Sequence, residues 1–295
     1  MERLMQLIEH GQSYWLDTLS RDIIESGELG KRVHEHGLRG VTSNPNTLNQ
    51  AISGGSRAYD AQIEEAALAG RSTKEIYELV TTTDVRDACD VLRPVYDESE
   101  GRDGYVSLEV SPHLAYDTDG TIAEARRLWQ TVDRPNLLMK VPGTKAGVPA
   151  IEELLYEGIN VNVTLLFSVP SYEAVAEAHM RAFERRLGEG KPIYGIASVA
   201  SFFLSRIDVL ADTILAQHVS PRQGPEWDPK PRELQGKVAL ANAKLAYQSF
   251  KRLIESDRWH ALAQNGARPQ RMLWASTSTK NPDYSDVMYV EPLIG

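Results

Sequence analysis

The chain has 295 residues, 42% of them hydrophobic and 25% charged, and its formal net charge is -9 at pH 7. No apolar stretch approaches the ~18 residues of a transmembrane helix, and the acidic balance argues against a nucleic-acid partner, which needs clustered Lys and Arg. The single cysteine, Cys89, cannot form an intrachain disulfide and fits a reducing cytoplasm. The seven histidines show no zinc-site spacing, so no metal is expected.

The first half of the chain alternates between apolar strands and amphipathic helices after a short helix at the N-terminus. Strands are predicted at 13–18, 38–43 and 105–110, and helices at 20–34, with a break near Gly27, and at 121–129. Residues 46–97 are expected to be mostly helical. Ser72 and Glu75 have capping-box spacing at the start of one helix there, and Pro94 is expected to end the next.

The second half repeats this alternation. Strands are predicted at 136–142, 159–167, 194–200 and 271–276. Helices are predicted at 146–156 (capped by Thr144), 172–187, 204–216 and 237–255. Four prolines between 218 and 232 predict a long surface loop.

Strands that alternate with helices predict an α/β fold with a parallel sheet. The glycine-rich dinucleotide and phosphate-loop motifs are absent from the sequence. A TIM-type (β/α)8 barrel, whose active site draws side chains from several strand ends, is the expected fold. The whole chain, 1–295, is expected to form one barrel domain, because such barrels exceed 250 residues as single units.

Lys140 is the most unusual residue of the predicted strands. It stands in an apolar run, and a lysine is almost never buried without a partner. Burial disfavours the charged amine, and the neutral amine is the form that attacks a carbonyl to make a Schiff base. A lysine at a strand end that extends to water is the alternative interpretation.

Polar side chains stand at the carboxyl end of each predicted strand, where barrel enzymes place their active sites. In chain order they are Asp17, Thr42 with Asn44, Glu109, Lys140, Asn162 with Thr164, Ser198 with Ser201, and Ser276 with Ser278. A purely structural sheet has no need of this pattern. The polar strand ends therefore favour Lys140 as a nucleophile.

The types of polar residue at these strand ends predict their chemical roles. Asp17 and Glu109 are suited to move protons, and Thr164 to hold a water between Glu109 and the lysine. Asn44 and Asn162 are suited to bind substrate hydroxyls. Each also has a structural alternative: Asp17 as a helix cap, Glu109 as an ion-pair partner, Thr164 as a strand former and Asn44 as a turn residue.

Two cations follow the last strands. Arg206 comes after the sixth strand and Lys280 after the seventh. Barrels of this type often bind phosphate near their last strands, and a guanidinium with an ammonium and hydroxyls suits a phosphate dianion. Solvated surface charge is the alternative for each.

Several motifs resemble those of one family. They are Trp15-Leu-Asp-Thr-Leu-Ser-Arg21, Gly40-Val-Thr-Ser-Asn-Pro45, Ser107-Leu-Glu-Val-Ser-Pro112, Lys140-Val-Pro-Gly-Thr144, Asn160-Val-Asn-Val-Thr-Leu-Leu-Phe-Ser168, Ser198-Val-Ala-Ser-Phe-Phe203 and Trp274-Ala-Ser-Thr-Ser-Thr-Lys-Asn281. Together they resemble the transaldolases, most closely the longer bacterial type, in the expected order over the whole chain.

The resemblance implies a cofactor-free enzyme that moves a dihydroxyacetone unit from sedoheptulose 7-phosphate to glyceraldehyde 3-phosphate. It implies Lys140 as the Schiff-base lysine, Asp17 as acid and base in C–C cleavage, and Glu109 with Thr164 at the water. Binding roles are implied for Asn44, Asn162 and Ser201 at the dihydroxyacetone unit, and for Arg206, Ser278 and Lys280 at the phosphate. Thr42 and Ser276 are predicted as further substrate-binding residues.

The sequence departs from the family in two places. Gly143 stands where the family has Ala, and is expected to loosen the aim of Lys140. The family continues past Gly295 with an eighth strand, so the resemblance predicts a barrel that lacks this strand, open strand edges and homo-oligomers as one consequence. Two alternatives remain: a fructose-6-phosphate aldolase that releases free dihydroxyacetone, and a truncated, non-catalytic paralogue that binds sugar phosphates.

Overall fold

The computed structural model describes residues 3–218 and 230–294. Their strands form one parallel sheet in the order β1 to β7, as expected from the alternation of elements. The strands are β1 (Tyr14–Leu16), β2 (Leu38–Thr42), β3 (Tyr105–Glu109), β4 (Leu137–Pro142), β5 (Val161–Leu166), β6 (Ser198–Phe203) and β7 (Arg271–Ala275). The described residues thus supply seven strands of a (β/α) barrel, which confirms the predicted fold class.

Helices separate the strands. Up to β4 they are α1 (Arg3–Glu9), α2 (Arg21–Glu25), α3 (Glu28–His36), α4 (Pro45–Ser53), α5 (Asp60–Leu68), α6 (Thr73–Glu98) and α7 (Thr118–Val132). After β4 they are α8 (Gly147–Glu157), α9 (Val169–Gly188), α10 (Ser205–His218), α11 (Lys230–Leu234), α12 (Val238–Ile254) and α13 (Asp257–Gln264). Short 3₁₀ turns lie at Arg57–Tyr59, Pro112–Leu114 and Glu291–Leu293.

Each strand divides its side chains between two apolar layers. Val106, Met139 and Val163 pack in the large core between sheet and helices. Tyr105 and Leu138 belong to a smaller cluster inside the barrel. Because side chains alternate along a strand, residues two and four positions after these inner ones face the barrel interior as well. This alternation places the polar side chains at the strand ends above the inner apolar cluster.

The inner cluster includes the indole of Trp15, which lies against β2. A Cβ at Gly40 would come within 2.3 Å of the Trp15 ring, so only glycine fits at that position. The small residue on β2 thereby lets a large aromatic ring fill the interior beside β1.

The two edge strands of the sheet are tied together at their amino ends by Asp103, in the loop before β3. Its Oδ1 accepts hydrogen bonds from Ser13 Oγ at 2.7 Å and from Arg271 Nη2 at 3.1 Å. Ser13 precedes β1 and Arg271 begins β7. The carboxylate therefore bridges the strands that have only one sheet neighbour each.

Most predicted elements are confirmed, with shifted ends. The helix break at Gly27 is present between α2 and α3, and Ser72 with Glu75 forms the predicted capping box. The prediction that Pro94 ends a helix is wrong: α6 runs through it to Glu98. Val95 is buried in the core, and this packing offsets the cost of an interior proline, about 3 kcal/mol.

The sixth strand was predicted too early. Gly195, at a φ of 78°, makes a turn with the exposed Tyr194, and β6 begins only at Ser198. The α13 helix falls where no helix was predicted. The predicted loop at 218–232 lies largely outside the described residues. Residues 282–294 form turns and one 3₁₀ turn, with no strand among them.

Candidate active site

A cavity of about 380 Å³ opens at the carboxyl ends of the strands. Its wall contains every predicted site residue except Asn162 and Lys280. These lining residues are Asp17, Thr42, Asn44, Glu109, Lys140, Thr164, Ser201, Arg206, Ser276 and Ser278. Side chains from all seven strands or the loops after them thus reach one space, as the strand-end pattern predicts.

Lys140 lies at the inner wall of this cavity and is 6% exposed. Its Nζ lies 3.1 Å from Glu109 Oε2 and donates a hydrogen bond to the Ser43 carbonyl oxygen at 2.9 Å. The register of β3 and β4 pairs Glu109 with Lys140, so both side chains leave adjacent strands on the same face. The alternative of a lysine that extends to water is wrong.

Ser43 is a site residue that the sequence interpretation missed. Its side chain is fully buried, and its Oγ donates to the carbonyl of Ser107 on β3 at 2.9 Å. This bond fixes the loop whose carbonyl oxygen receives the lysine. Its place between Thr42 and Asn44, both predicted site residues, was the available signal.

Asn162 lies below the cavity rather than on its wall. Its Nδ2 donates to Ser107 Oγ at 2.9 Å, and its Oδ1 accepts from Ser201 Oγ at 2.7 Å. Both ends of the amide are therefore engaged by protein, and Ser201 is the group that reaches the cavity. Ser198 begins β6 and donates to Val161 O, so the expectation that it stands at a strand's carboxyl end is wrong.

Gly143 follows β4 and is held in place, contrary to the expected looseness. Its N–H donates to the Thr164 carbonyl at 2.8 Å. A Cβ there would come within 2.6 Å of Leu166 Cδ2, so the buried leucine occupies the space that an alanine methyl would need. Thr144 Oγ1 accepts from the amide of Gly147, the first residue of α8, at 2.9 Å, while Ala146 and not Thr144 occupies the N-cap position.

Asn44 and Thr42 line the cavity from β2 and the loop after it. Asn44 caps α4: its Oδ1 accepts from the Thr47 amide at 3.0 Å. Asn44 therefore has a structural role at the start of α4 and also lines the cavity. Thr42 Oγ1 is buried without a hydrogen-bond partner among the described residues.

Asp17 stands directly after β1 and does not cap α2, since Ser20 accepts from the Ile23 amide there. The residue lines the cavity and remains exposed to solvent. Desolvation by the surrounding protein nevertheless raises its pKa, against the attraction of Lys140, Arg206 and Lys280. All three cations thus act on this carboxylate.

Of the two cations predicted to bind phosphate, one lies on the cavity wall and the other just beyond it. Arg206 lines the cavity, with its guanidinium 5.3 Å from the centroid of the Phe203 ring. Lys280 is exposed just beyond the wall, and its Nζ donates to Ser278 Oγ at 2.6 Å. Ser276, at a φ of 55°, shares a hydrogen bond of 2.8 Å with Ser205 at the start of α10.

Residues 14–295 match the family described as Transaldolase/Fructose-6-phosphate aldolase. The chain belongs to this family. It is 54% identical over 296 residues to "Transaldolase 2" of Nostoc sp. (strain PCC 7120), an alignment that covers 100% of this chain and 77% of the relative.

Two further relatives agree. "Transaldolase" of Trichodesmium erythraeum is 52% identical over 292 residues, with 99% of this chain and 77% of the relative covered. "Transaldolase" of Thiobacillus denitrificans is 50% identical over 285 residues, with 97% and 77% covered. The predicted family is confirmed.

Two further features are absent from the described part of the chain. Residues 3–218 and 230–294 contain no group of three or more His, Cys, Asp or Glu side chains arranged to hold a metal ion. Among the helices of the same ranges, none combines the length and apolarity needed to cross a membrane.

Proposed function

We propose that this chain is a transaldolase. It transfers a dihydroxyacetone unit from sedoheptulose 7-phosphate to glyceraldehyde 3-phosphate, and gives erythrose 4-phosphate and fructose 6-phosphate. The observation that carries the proposal is the buried amine of Lys140 on a cavity wall, within 3.1 Å of the Glu109 carboxylate. Relatives named transaldolase, about half identical over essentially the whole chain, support the same activity.

The reaction begins at Lys140. Loss of a proton to Glu109 frees the amine, which adds to the ketose carbonyl carbon; loss of water then gives an iminium. Asp17 takes the proton of the hydroxyl β to the iminium carbon. The adjacent C–C bond breaks, its electron pair forms an enamine, and the aldehyde leaves. The enamine then attacks the acceptor aldehyde, and Asp17 returns the proton.

Glu109 and Thr164 act on the water that the reaction releases and later consumes. Thr164 is 1% exposed and reaches the cavity on the strand next to Lys140. Its hydroxyl holds the water that leaves the carbinolamine and that later hydrolyses the product iminium. Glu109 gives and takes the protons of these two steps.

The dihydroxyacetone unit is bound by Thr42, Asn44 and Ser201. The unpartnered hydroxyl of Thr42 is available to a substrate oxygen, and Asn162 orients Ser201 through their hydrogen bond. The phosphate is bound at the other side of the cavity by Arg206, Ser276, Ser278 and Lys280, where a guanidinium and an ammonium supply positive charge.

The experiment is an assay of transfer with purified protein. Fructose 6-phosphate and erythrose 4-phosphate are mixed with the chain, and sedoheptulose 7-phosphate is quantified. A transaldolase makes it and releases little dihydroxyacetone when no acceptor is present. An aldolase releases dihydroxyacetone freely. A binding protein does neither, and that result would overturn the proposal.

We further propose that the chain acts in the cytoplasm, as one barrel unit over 1–295, on sugar phosphates and not on nucleic acid. The net charge of -9 supports the last point. The edges of β1 and β7 offer surfaces for association between copies, and light scattering at several concentrations measures the oligomeric state.

A further inference from the structure

The β5 strand contains an irregularity beside the proposed water site. Against β6, Val163 pairs with Ala200 and Leu166 with Phe202, so Thr164 and Leu165 together lie opposite Ser201. This is a β-bulge, in which two residues of one strand face one of its partner. Leu165 has a φ of 61°, a left-handed conformation that leucine rarely adopts.

The bulge changes which way the side chains point. In a regular strand Leu165 would follow Val163 into the outer core, and Leu166 would follow Thr164 towards the cavity. Instead, both Thr164 and Leu165 line the cavity, and Leu166 is fully buried in the outer core. The strained backbone thus delivers one additional side chain, an apolar one, to the cavity wall.

An apolar group at this position has no role in binding hydroxyls or phosphate. Leu165 is 39% exposed, whereas Leu108 on β3, Leu138 on β4 and Leu166 on β5 are at most 4% exposed. Strain of this kind persists only where the surrounding structure fixes it, and it concentrates at functional sites. The neighbour that shares the bulge is Thr164, which the proposed mechanism assigns to water.

We propose that Leu165 determines whether the bound three-carbon unit is transferred or released. Its side chain excludes bulk water from the enamine on Lys140, so that the enamine waits for an acceptor aldehyde. This inference rests on the proposed function, and it adds a specificity-determining residue to it.

The reaction that Leu165 suppresses is hydrolysis. The nucleophilic carbon of the enamine takes a proton, and its neighbour, bonded to nitrogen, becomes the iminium carbon of bound dihydroxyacetone. Water adds to the iminium carbon and loses a proton, which gives a carbinolamine. The carbinolamine hydroxyl proton then passes to nitrogen, the C–N bond breaks as the C=O bond forms, and nitrogen keeps the electron pair as the amine of Lys140. The products are free dihydroxyacetone and the regenerated lysine. Exclusion of water slows the second step and leaves the aldol addition unaffected.

The test is the ratio of dihydroxyacetone released to units transferred, measured with fructose 6-phosphate and a fixed amount of acceptor. Leu165→Ala should raise this ratio on the order of tenfold, a change that corresponds to about 1.4 kcal/mol in relative barrier height. Leu165→Met keeps an apolar side chain and should retain the parent ratio. Leu68→Ala, at a leucine that is 82% exposed and does not line the cavity, is the matched control.

A ratio within one sample does not depend on how much protein is folded, so a merely structural role would not move it. Leu165→Gly removes the same side chain but suits a positive φ, so its melting temperature should exceed that of Leu165→Ala, while its ratio should follow that of Leu165→Ala. An unchanged ratio in both variants would overturn the inference, as would a change in Leu165→Gly alone. Absence of transfer in the parent protein would instead contradict the proposed function.

Discussion

Glu109 and Lys140 face each other across β3 and β4, with 3.1 Å between the carboxylate oxygen and the amine nitrogen. Both side chains are nearly removed from water, at 12% and 7% exposure. A proton can therefore pass between them directly. The pair explains how a buried lysine is kept in the folded protein and still becomes a nucleophile.

Replacing Glu109 with Gln removes the proton acceptor but keeps a hydrogen-bonding group of the same size. We expect kcat to fall by roughly 10²-fold or more, the usual contribution of a positioned acid or base. Circular dichroism should show the parent fold. Steady-state transfer assays measure the effect, and a kcat within a factor of two of the parent would remove Glu109 from the mechanism.

Replacing Asp17 with Asn should separate activity from stability. The pKa of Asp17 is raised by desolvation, so its ionisation opposes folding, and the native state loses stability as pH rises from the unfolded-state pKa through the folded-state pKa. Asn cannot ionise. The variant should therefore lose transfer activity, by about 10²- to 10⁴-fold, yet be more stable than the parent at neutral pH.

The stability difference should shrink as pH falls, because both proteins are then uncharged at this position. Urea unfolding at a series of pH values measures it. A variant that is less stable than the parent at neutral pH, with the difference disappearing in acid, would show that the Asp17 carboxylate stabilises the fold instead.

Arg21, four residues after Asp17, forms a buried network with Asp84 and Tyr59. Arg21 Nε donates to Asp84 Oδ1 at 2.9 Å, and Tyr59 OH donates to Asp84 Oδ2 at 3.0 Å. Asp84→Ala leaves the buried guanidinium without its carboxylate partner, and we expect a loss of about 3–5 kcal/mol in unfolding free energy. Asp60→Ala removes an exposed ion pair and should change it by less than about 1 kcal/mol. Equal losses in chemical denaturation would contradict this account.

Removal of the Asp103 bridge between the edge strands should lower the unfolding free energy by less than removal of Asp84. Asp103→Ala loses the bonds to Ser13 and Arg271, which are partly exposed, so a loss of roughly 1–3 kcal/mol is expected. Asp97→Ala, which breaks an exposed pair with Arg93, is the control and should be nearly neutral. Thermal unfolding compares the two. A neutral Asp103→Ala would mean that the bridge does not hold the strands together.

Local periodicity was enough to predict the sheet and most of the cavity wall. Each strand is an apolar run, and the polar residue at its end stands out against that run, as Glu109 and Lys140 do. Parallel order then brings these ends together without further information. The prediction of Lys140 as the central residue therefore rested on the polar ends of all seven predicted strands taken together.

The missed features depend on contacts between distant segments. The partner of Lys140 in the loop after β2 is a backbone carbonyl, and any residue at position 43 has one. The network of Arg21 joins residues 63 positions apart. The bulge at Leu165 is set by pairing with β6, and nothing in the run Val161–Leu166 marks it.

Chemical trapping tests the central claim most directly. The protein is incubated with fructose 6-phosphate and sodium borohydride, digested, and the modified peptide is sequenced by mass spectrometry. We expect one reduced dihydroxyacetone adduct, on Lys140, and none in Lys140→Ala. An adduct on another lysine, or transfer activity that leaves Lys140 unmodified by borohydride, would contradict the assignment of Lys140 as the Schiff-base nucleophile.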